Sequence, residues 1–111
     1  MYAQLTYFDG PRTPEALAAH DFAARERIQP AVTGLGHSFR VYVLRRDDGS
    51  QVVVSISDTE QALLDAQKAI VGTELLPGED PALLRGPDRI ELYPVISTQD
   101  VNPGSDNRSR L

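Results

Sequence analysis

Two imidazoles, His20 and His37, are the only histidine side chains in the chain. An unperturbed imidazole titrates near ~6.5, so either one can take or give a proton at neutral pH. His20 is the better candidate base by position. It falls one helical turn before Ala24 and beside the apolar line Leu17–Ala24–Ile28, where a polar side chain has little structural reason to be. Asp21 follows it, but successive helix residues diverge by about 100°, so the two need not form a dyad. His37, Arg40 and Tyr42 can hold an anion, and Phe22, Phe39 and Leu63 can supply the apolar walls of a pocket. The plainer reading makes His20 a helix-flank residue, His37 a strand-entry residue, and Arg40 and Tyr42 interface residues. A metal site is disfavoured, because the histidines have no short paired spacing and three ligands would have to converge. Cysteine is absent, which removes thiol nucleophiles, disulfides and thiolate sites. A Ser, a His and an Asp are present without a nucleophile elbow, so their presence carries no information.

The elements that must position these residues are legible. Tyr2 to Phe8 is rich in β-forming types and predicts a strand, broken by Asp9-Gly10-Pro11. Thr13-Pro14-Glu15-Ala16 is a helix start, with Thr13 as cap and Pro14 at the first helical position. The helix is expected to run to Ile28 and to end at Gln29-Pro30, since the residue before a proline is pushed out of the α region. From His37 a second strand is predicted, with Phe39, Val41 and Val43 alternating against Ser38, Arg40 and Tyr42. Asp48-Gly49 then signals a hairpin into a third strand, Gln51 to Ser57. Ser57-Asp58-Thr59-Glu60 resembles a capping box opening a second helix from about Thr59 to Val71, which lines up Leu63, Ala66 and Ile70 and stops at Gly72. Residues 73–87 place two Leu-Leu pairs among prolines and glycines, too apolar for a plain linker and too broken for a helix. Arg89 to Val95 is the last strand, and Pro94 implies that it lies at an edge or ends there. Residues 1–96 thus form one domain, and 97–111 read as a flexible polar tail.

Length and composition bound the rest. The 111 residues suit a single domain. Eleven Lys and Arg against sixteen Asp and Glu leave a net charge of −5, which argues against a nucleic-acid partner and against a polybasic membrane surface. No apolar run approaches the ~18 residues of a membrane span, and the start lacks the features of a signal peptide. The default location is cytoplasmic. One lysine against ten arginines, with many alanines, suggests a high-GC bacterial genome.

The order β-α-β-β-α-β is the split arrangement of a ferredoxin-like α+β fold: a four-stranded antiparallel sheet with both helices on one face. The other face is then bare. The expected set there is Arg40, Tyr42, Leu44, Val53, Tyr93 and Val95, too apolar to stay wet, and two such sheets packed face to face make a homodimer. On the N-terminal strand, the helix ending Arg25-Glu26-Arg27-Ile28-Gln29-Pro30, the hairpin at Asp47-Asp48-Gly49, the helix after Ser57-Asp58-Thr59-Glu60 and the final strand, the chain resembles the dimeric α+β barrel superfamily, and within it the small antibiotic-biosynthesis-monooxygenase-like proteins. The segment from Glu74 to Pro81 is not part of that general pattern. The resemblance implies a helix–sheet pocket and no bound cofactor or metal. It argues against haem degradation, because residues 59–71 hold no histidine and the chain has no tryptophan. Two readings follow. One is a homodimeric binding protein for a small apolar or aromatic metabolite, and the other is a cofactor-free monooxygenase-like enzyme with a His base. The second is weakened because the family's positioning asparagine has no counterpart outside the tail.

Overall fold

The computed structural model describes residues 1–103. Its strands are β1 (Tyr2–Phe8), β2 (Arg40–Arg45), β3 (Gln51–Ser57) and β4 (Arg89–Pro94). They form one antiparallel sheet in the order β2-β3-β1-β4, an α+β arrangement compatible with a ferredoxin-like fold. β4 lies at an edge, so Pro94 removes no central ladder bond. The β2–β3 turn closes with Arg46 N–H donating to Ser50 O at 2.9 Å and Gly49 at φ +90°. A Cβ on Gly49 would stand 2.8 Å from the Arg12 carbonyl, so only glycine fits there.

The first helical stretch departs from expectation. α1 (Pro14–Ala23) does not stop before Pro30. It runs on through a π turn, Ala24–Ile28, into α2 (Gln29–Thr33), with helical backbone at both junctions. Within an α-helix Pro30 would strike the carbonyl four residues back and leave it unpaired. The π turn shifts the ladder, and Gln29 N–H donates to Ala24 O, five residues back. One extra residue per turn lets the rod pass the proline, a common setting for a π-bulge. Thr13 caps α1, its Oγ1 accepting from Ala16 N–H at 3.1 Å. α3 (Glu60–Val71) is capped by Thr59, which accepts from Ala62 N–H. Ser57 is therefore not the cap that its spacing to Glu60 suggests. It is the last residue of β3 and donates to Ser38 O at 2.8 Å.

Side-chain alternation decides which sheet face meets the helices. Gln4 bonds Gln67 of α3, while Phe8 and Gln51 touch His20 of α1. The register puts Gln4, Thr6, Phe8, Val41, Val43, Arg45, Gln51, Val53, Ser55, Ser57, Ile90 and Leu92 together on that inner face. The outer face carries Ala3, Leu5, Tyr7, Arg40, Tyr42, Leu44, Val52, Val54, Ile56, Arg89, Glu91 and Tyr93. Val53 is thus not an outer residue as expected. It pairs with Thr6 and Val43, and Val52, Val54 and Ile56 take the outer positions. The buried apolar core is small: Phe8, Ala23, Ala62, Leu63 and Ala66.

The apolar segment after α3 is stapled to the π turn. Arg27 donates to Glu79 Oε2 at 2.8 Å and to Thr73 Oγ1 at 2.6 Å. Glu79 Oε2 also accepts from Leu76 N–H at 2.7 Å. These bonds hold the Glu79 carboxyl below the usual carboxylate range, Arg27 first and the Leu76 amide second. A 3-10 turn, Pro81–Leu83, then leads to β4. Residues 97–103 are exposed and without regular structure, and the rest of the expected tail lies outside the described residues. No described helix is long and apolar enough to cross a membrane.

Removing either partner of this staple strands the other. Arg27→Met or Glu79→Gln is expected to lower the thermal midpoint by about 5 °C and to make the chain cleavable within residues 73–87 by limited proteolysis. Unchanged cleavage in both variants would show that the segment is held by its leucines instead.

Candidate functional site

α1 meets the sheet through polar groups. His20 is half-buried and leans its ring edge-on against Phe8, with centroids 4.9 Å apart. Its Nδ1 lies 3.2 Å from Gln51 Nε2. Gln51 Oε1 accepts from Arg45 Nε at 2.9 Å. Arg45 in turn grips Asp21 with two bonds, at 2.6 Å and 3.2 Å. The result is a continuous chain, Asp21–Arg45–Gln51–His20. It joins α1 to both strands of the hairpin at its turn end.

Elementary chemistry orients each link. A guanidinium only donates, so the Gln51 oxygen must face Arg45 and its amide NH2 must face His20. Toward Gln51, His20 Nδ1 is then the acceptor in the neutral ring, while the Asp21 carboxylate, 3.9 Å from the same nitrogen, favours a proton there when the ring is charged. Burial lowers the His20 pKa, Asp21 pulls against that shift, and the cations Arg12 and Arg45 add to it. At neutral pH the ring is therefore neutral. Asp21 is held below the usual carboxylate range, chiefly by its bonds to Arg45.

Beside this polar end the inner face is open. Val41 and Val43 point to the helix side yet are 53% and 56% exposed, because neither α1 nor α3 covers β2. The two valines and Val53 form an apolar shelf along the helix–sheet layer. Arg45, Gln51 and His20 close one end. At the other end His37 Nε2 stands 3.5 Å from Asp65 of α3 and its ring meets Phe39 edge-on.

The sequence candidates do not converge on one wall. His20 sits at Gln51 and His37 beside Ser38, which Ser57 binds. Gln51 and Ser57 are the two ends of β3, about 20 Å apart at ~3.3 Å per residue, so the two imidazoles cannot share a small ligand. Arg40 and Tyr42 lie on the outer face, since alternation separates them from Val41 and Val43. Leu63 is fully buried in the core. Phe22 faces away from the sheet, lining a cleft of about 310 Å³ with Ala19, Pro77, Leu83 and Leu84. His20 thus stands at one end of the shelf, and His37 with Phe39 at the other. No cluster of three or more potential metal ligands occurs among the described residues.

Gln51, Arg45 and Asp21 escaped the reading from sequence as a unit. The Asp-Gly turn implies that Arg45 and Gln51 face each other across the hairpin. Which face of the hairpin looks toward α1 is a tertiary fact, and β3 has a usable pattern on both faces.

The linkage has a definite sign. Folded His20 binds its proton at lower pH than the unfolded chain does, so stability falls as pH drops from about 6.5 through the folded value. Asp21→Asn removes the anion that favours imidazolium and is expected to lower the His20 pKa further, read by NMR titration of its ring proton. A rise in that variant would contradict the charge arrangement described here. Comparison with protein-family models gives no match, and comparison with curated proteins gives none either.

Proposed function

We propose that the chain is a homodimer that binds a small, largely apolar or aromatic metabolite on the β2 shelf, with the ligand's polar end toward His20. The observation that supports this reading is the polarity of β3, whose Gln51, Ser55 and Ser57 face the helices while Val52, Val54 and Ile56 face outward. The inner face spends Gln4, Thr6, Gln51, Ser55 and Ser57 where a purely structural helix–sheet contact would use apolar residues. The outer face gathers Leu5, Tyr42, Leu44, Val52, Val54, Ile56 and Tyr93 together with Arg40, Arg89 and Glu91, and both helices pack on the other side of the sheet. Tyr42, Leu44 and Tyr93 are each about half exposed, and covering each one contributes on the order of 1 kcal/mol. A second copy, related by a two-fold axis, covers the whole patch with itself. The ferredoxin-like strand order, closed into a dimeric α+β barrel, is the assembly we infer, and it agrees with the resemblance drawn from the element order.

The enzymatic alternative is a cofactor-free monooxygenase-like reaction with His20 as base. The neutral ring favours it. The engagement of Nδ1 by Gln51 opposes it, because that lone pair is already used.

Sedimentation at micromolar concentration is expected to give about twice the 12.2 kDa chain mass, and Tyr42→Asp to shift the species toward monomer by burying an unpaired charge at the contact. A monomer in the unsubstituted protein would overturn the assembly. His20→Ala is expected to weaken binding of aromatic probes about tenfold with little change in thermal midpoint. A large loss of midpoint with unchanged binding would assign His20 to the fold.

A further inference from the structure

Building on the homodimer proposed above, we infer that its two-fold axis runs along the strands, which lays β2 of each subunit over β4 of the other and sets Arg40 against the partner's Tyr93 and the partner's Glu91.

The registers turn the outer face into a grid. Its rows are Arg40–Ile56–Ala3–Tyr93, Tyr42–Val54–Leu5–Glu91 and Leu44–Val52–Tyr7–Arg89. β2 and β4 are its edge columns. The charges stand on those two strands alone: Arg40 at one corner, Arg89 at the opposite corner, and Glu91 midway along β4. Two of them are drawn in over the face. Arg89 lies on the Tyr7 ring, 3.8 Å from its centroid, and Glu91 holds the Tyr7 hydroxyl proton, which raises that phenol above its usual pKa. A partner packed on this face therefore meets charge at fixed places.

Strands about 4.8 Å apart, with like-facing residues about 6.8 Å apart, make the grid about 14 Å on each side. A two-fold axis lying between two overlapped copies of it has four settings. Aligned sheets place the axis across or along the strands, and orthogonal sheets place it on a diagonal. Across the strands, β4 meets β4 and Glu91 faces the partner's Glu91. On one diagonal, Arg40 faces the partner's Arg40 and Arg89 faces the partner's Arg89. On the other, Arg40 faces the partner's Arg89. Each of these three settings presses like charges together where water is excluded, which is costly. Along the strands no like charges meet. Tyr42 then faces the partner's Glu91 and offers it a hydroxyl proton. Arg40 faces the partner's Tyr93, with the partner's Glu91 one row away. A guanidinium over a phenol ring and beside a carboxylate is a favourable setting, and Arg89 on Tyr7 already shows the ring contact within one chain. Val54 meets the partner's Leu5 at the centre.

The test is the dimer dissociation constant of the full chain, read by sedimentation. Arg40→Glu and Glu91→Arg are each expected to raise it about tenfold. Both changes in one chain are expected to return it to within about threefold of the original value. Glu91→Gln separates the settings by sign: it weakens the dimer if the axis runs along the strands and tightens it if Glu91 faces itself. The chain has no cysteine, so introduced thiols give a second reading. Tyr42→Cys subunits mixed with Glu91→Cys subunits are expected to be joined by a bismaleimide matched to the about 10 Å between packed sheets, and Tyr42→Cys subunits alone are not. Single reversals without effect, a double reversal that fails to recover, a tighter Glu91→Gln dimer or self-linked Tyr42→Cys subunits would each overturn this axis and leave the dimer standing. A monomer in the unsubstituted protein would remove the dimer, and this inference with it.

Discussion

Along β3 the alternation of side chains leaves no freedom. Gln51, Val53, Ser55 and Ser57 must share one face, and Val52, Val54 and Ile56 the other. The helices take the polar set. Gln51 there holds Arg45 and His20, Gln4 of the neighbouring strand holds Gln67, and the fully apolar set is turned outward. Shifting the register by a single residue would exchange the two faces and bring the valines under α1. Each other feature follows from that choice: a small core, a polar contact between α1 and the hairpin, and an outer face that neither helix covers.

Stability is accordingly gathered away from β2, with Ala23 of α1 and Phe8 of β1 among the few buried apolar residues. α3 supplies Ala62, Leu63 and Ala66 to the core, and the π turn supplies Arg27 to fasten residues 73–80. α1 is thereby positioned by the rod it continues into and by the Asp21–Arg45 grip, without a dense apolar contact of its own against β2. That geometry leaves Val41 and Val43 uncovered beside His20. In the binding reading proposed above, this opening is where the small molecule lies. An apolar body can lie against the valines, and a polar end can meet groups that are already oriented by the chain of bonds behind them.

Most of the elements were legible in the residues alone. The Thr13-Pro14 start, the Asp48-Gly49 turn, the edge position of the Pro94 strand and the span of β3 all rest on local chemistry that tertiary structure does not override. Pro30 misled because the proline rule assumes an α ladder, and a π turn relieves the clash the rule depends on. Ser57 misled because two residues close together, Ser57 and Thr59, can both cap, and pairing with Ser38 claimed the first. The site was half legible. His20 stands out as a polar intrusion on an apolar line. Its partners Arg45 and Gln51 do not stand out, because their role depends on which face of a strand meets the helix, and β3 has a plausible pattern for either. Arg40 and Tyr42 lie on the outer face, where the strand alternation expects them as bare-face residues, and not beside the shelf as anion-holding groups.

In the proposed dimer the outward apolar face is dry in solution and the helix side of β2 is wet. Attenuation of valine and isoleucine methyl signals by a soluble paramagnetic agent measures this directly, methyl by methyl. Val41 and Val43 are predicted to be strongly attenuated, and Val54 and Ile56 to be protected beyond what a lone chain would allow. Attenuation of Val54 and Ile56 as strong as that of Val41 and Val43 would contradict it.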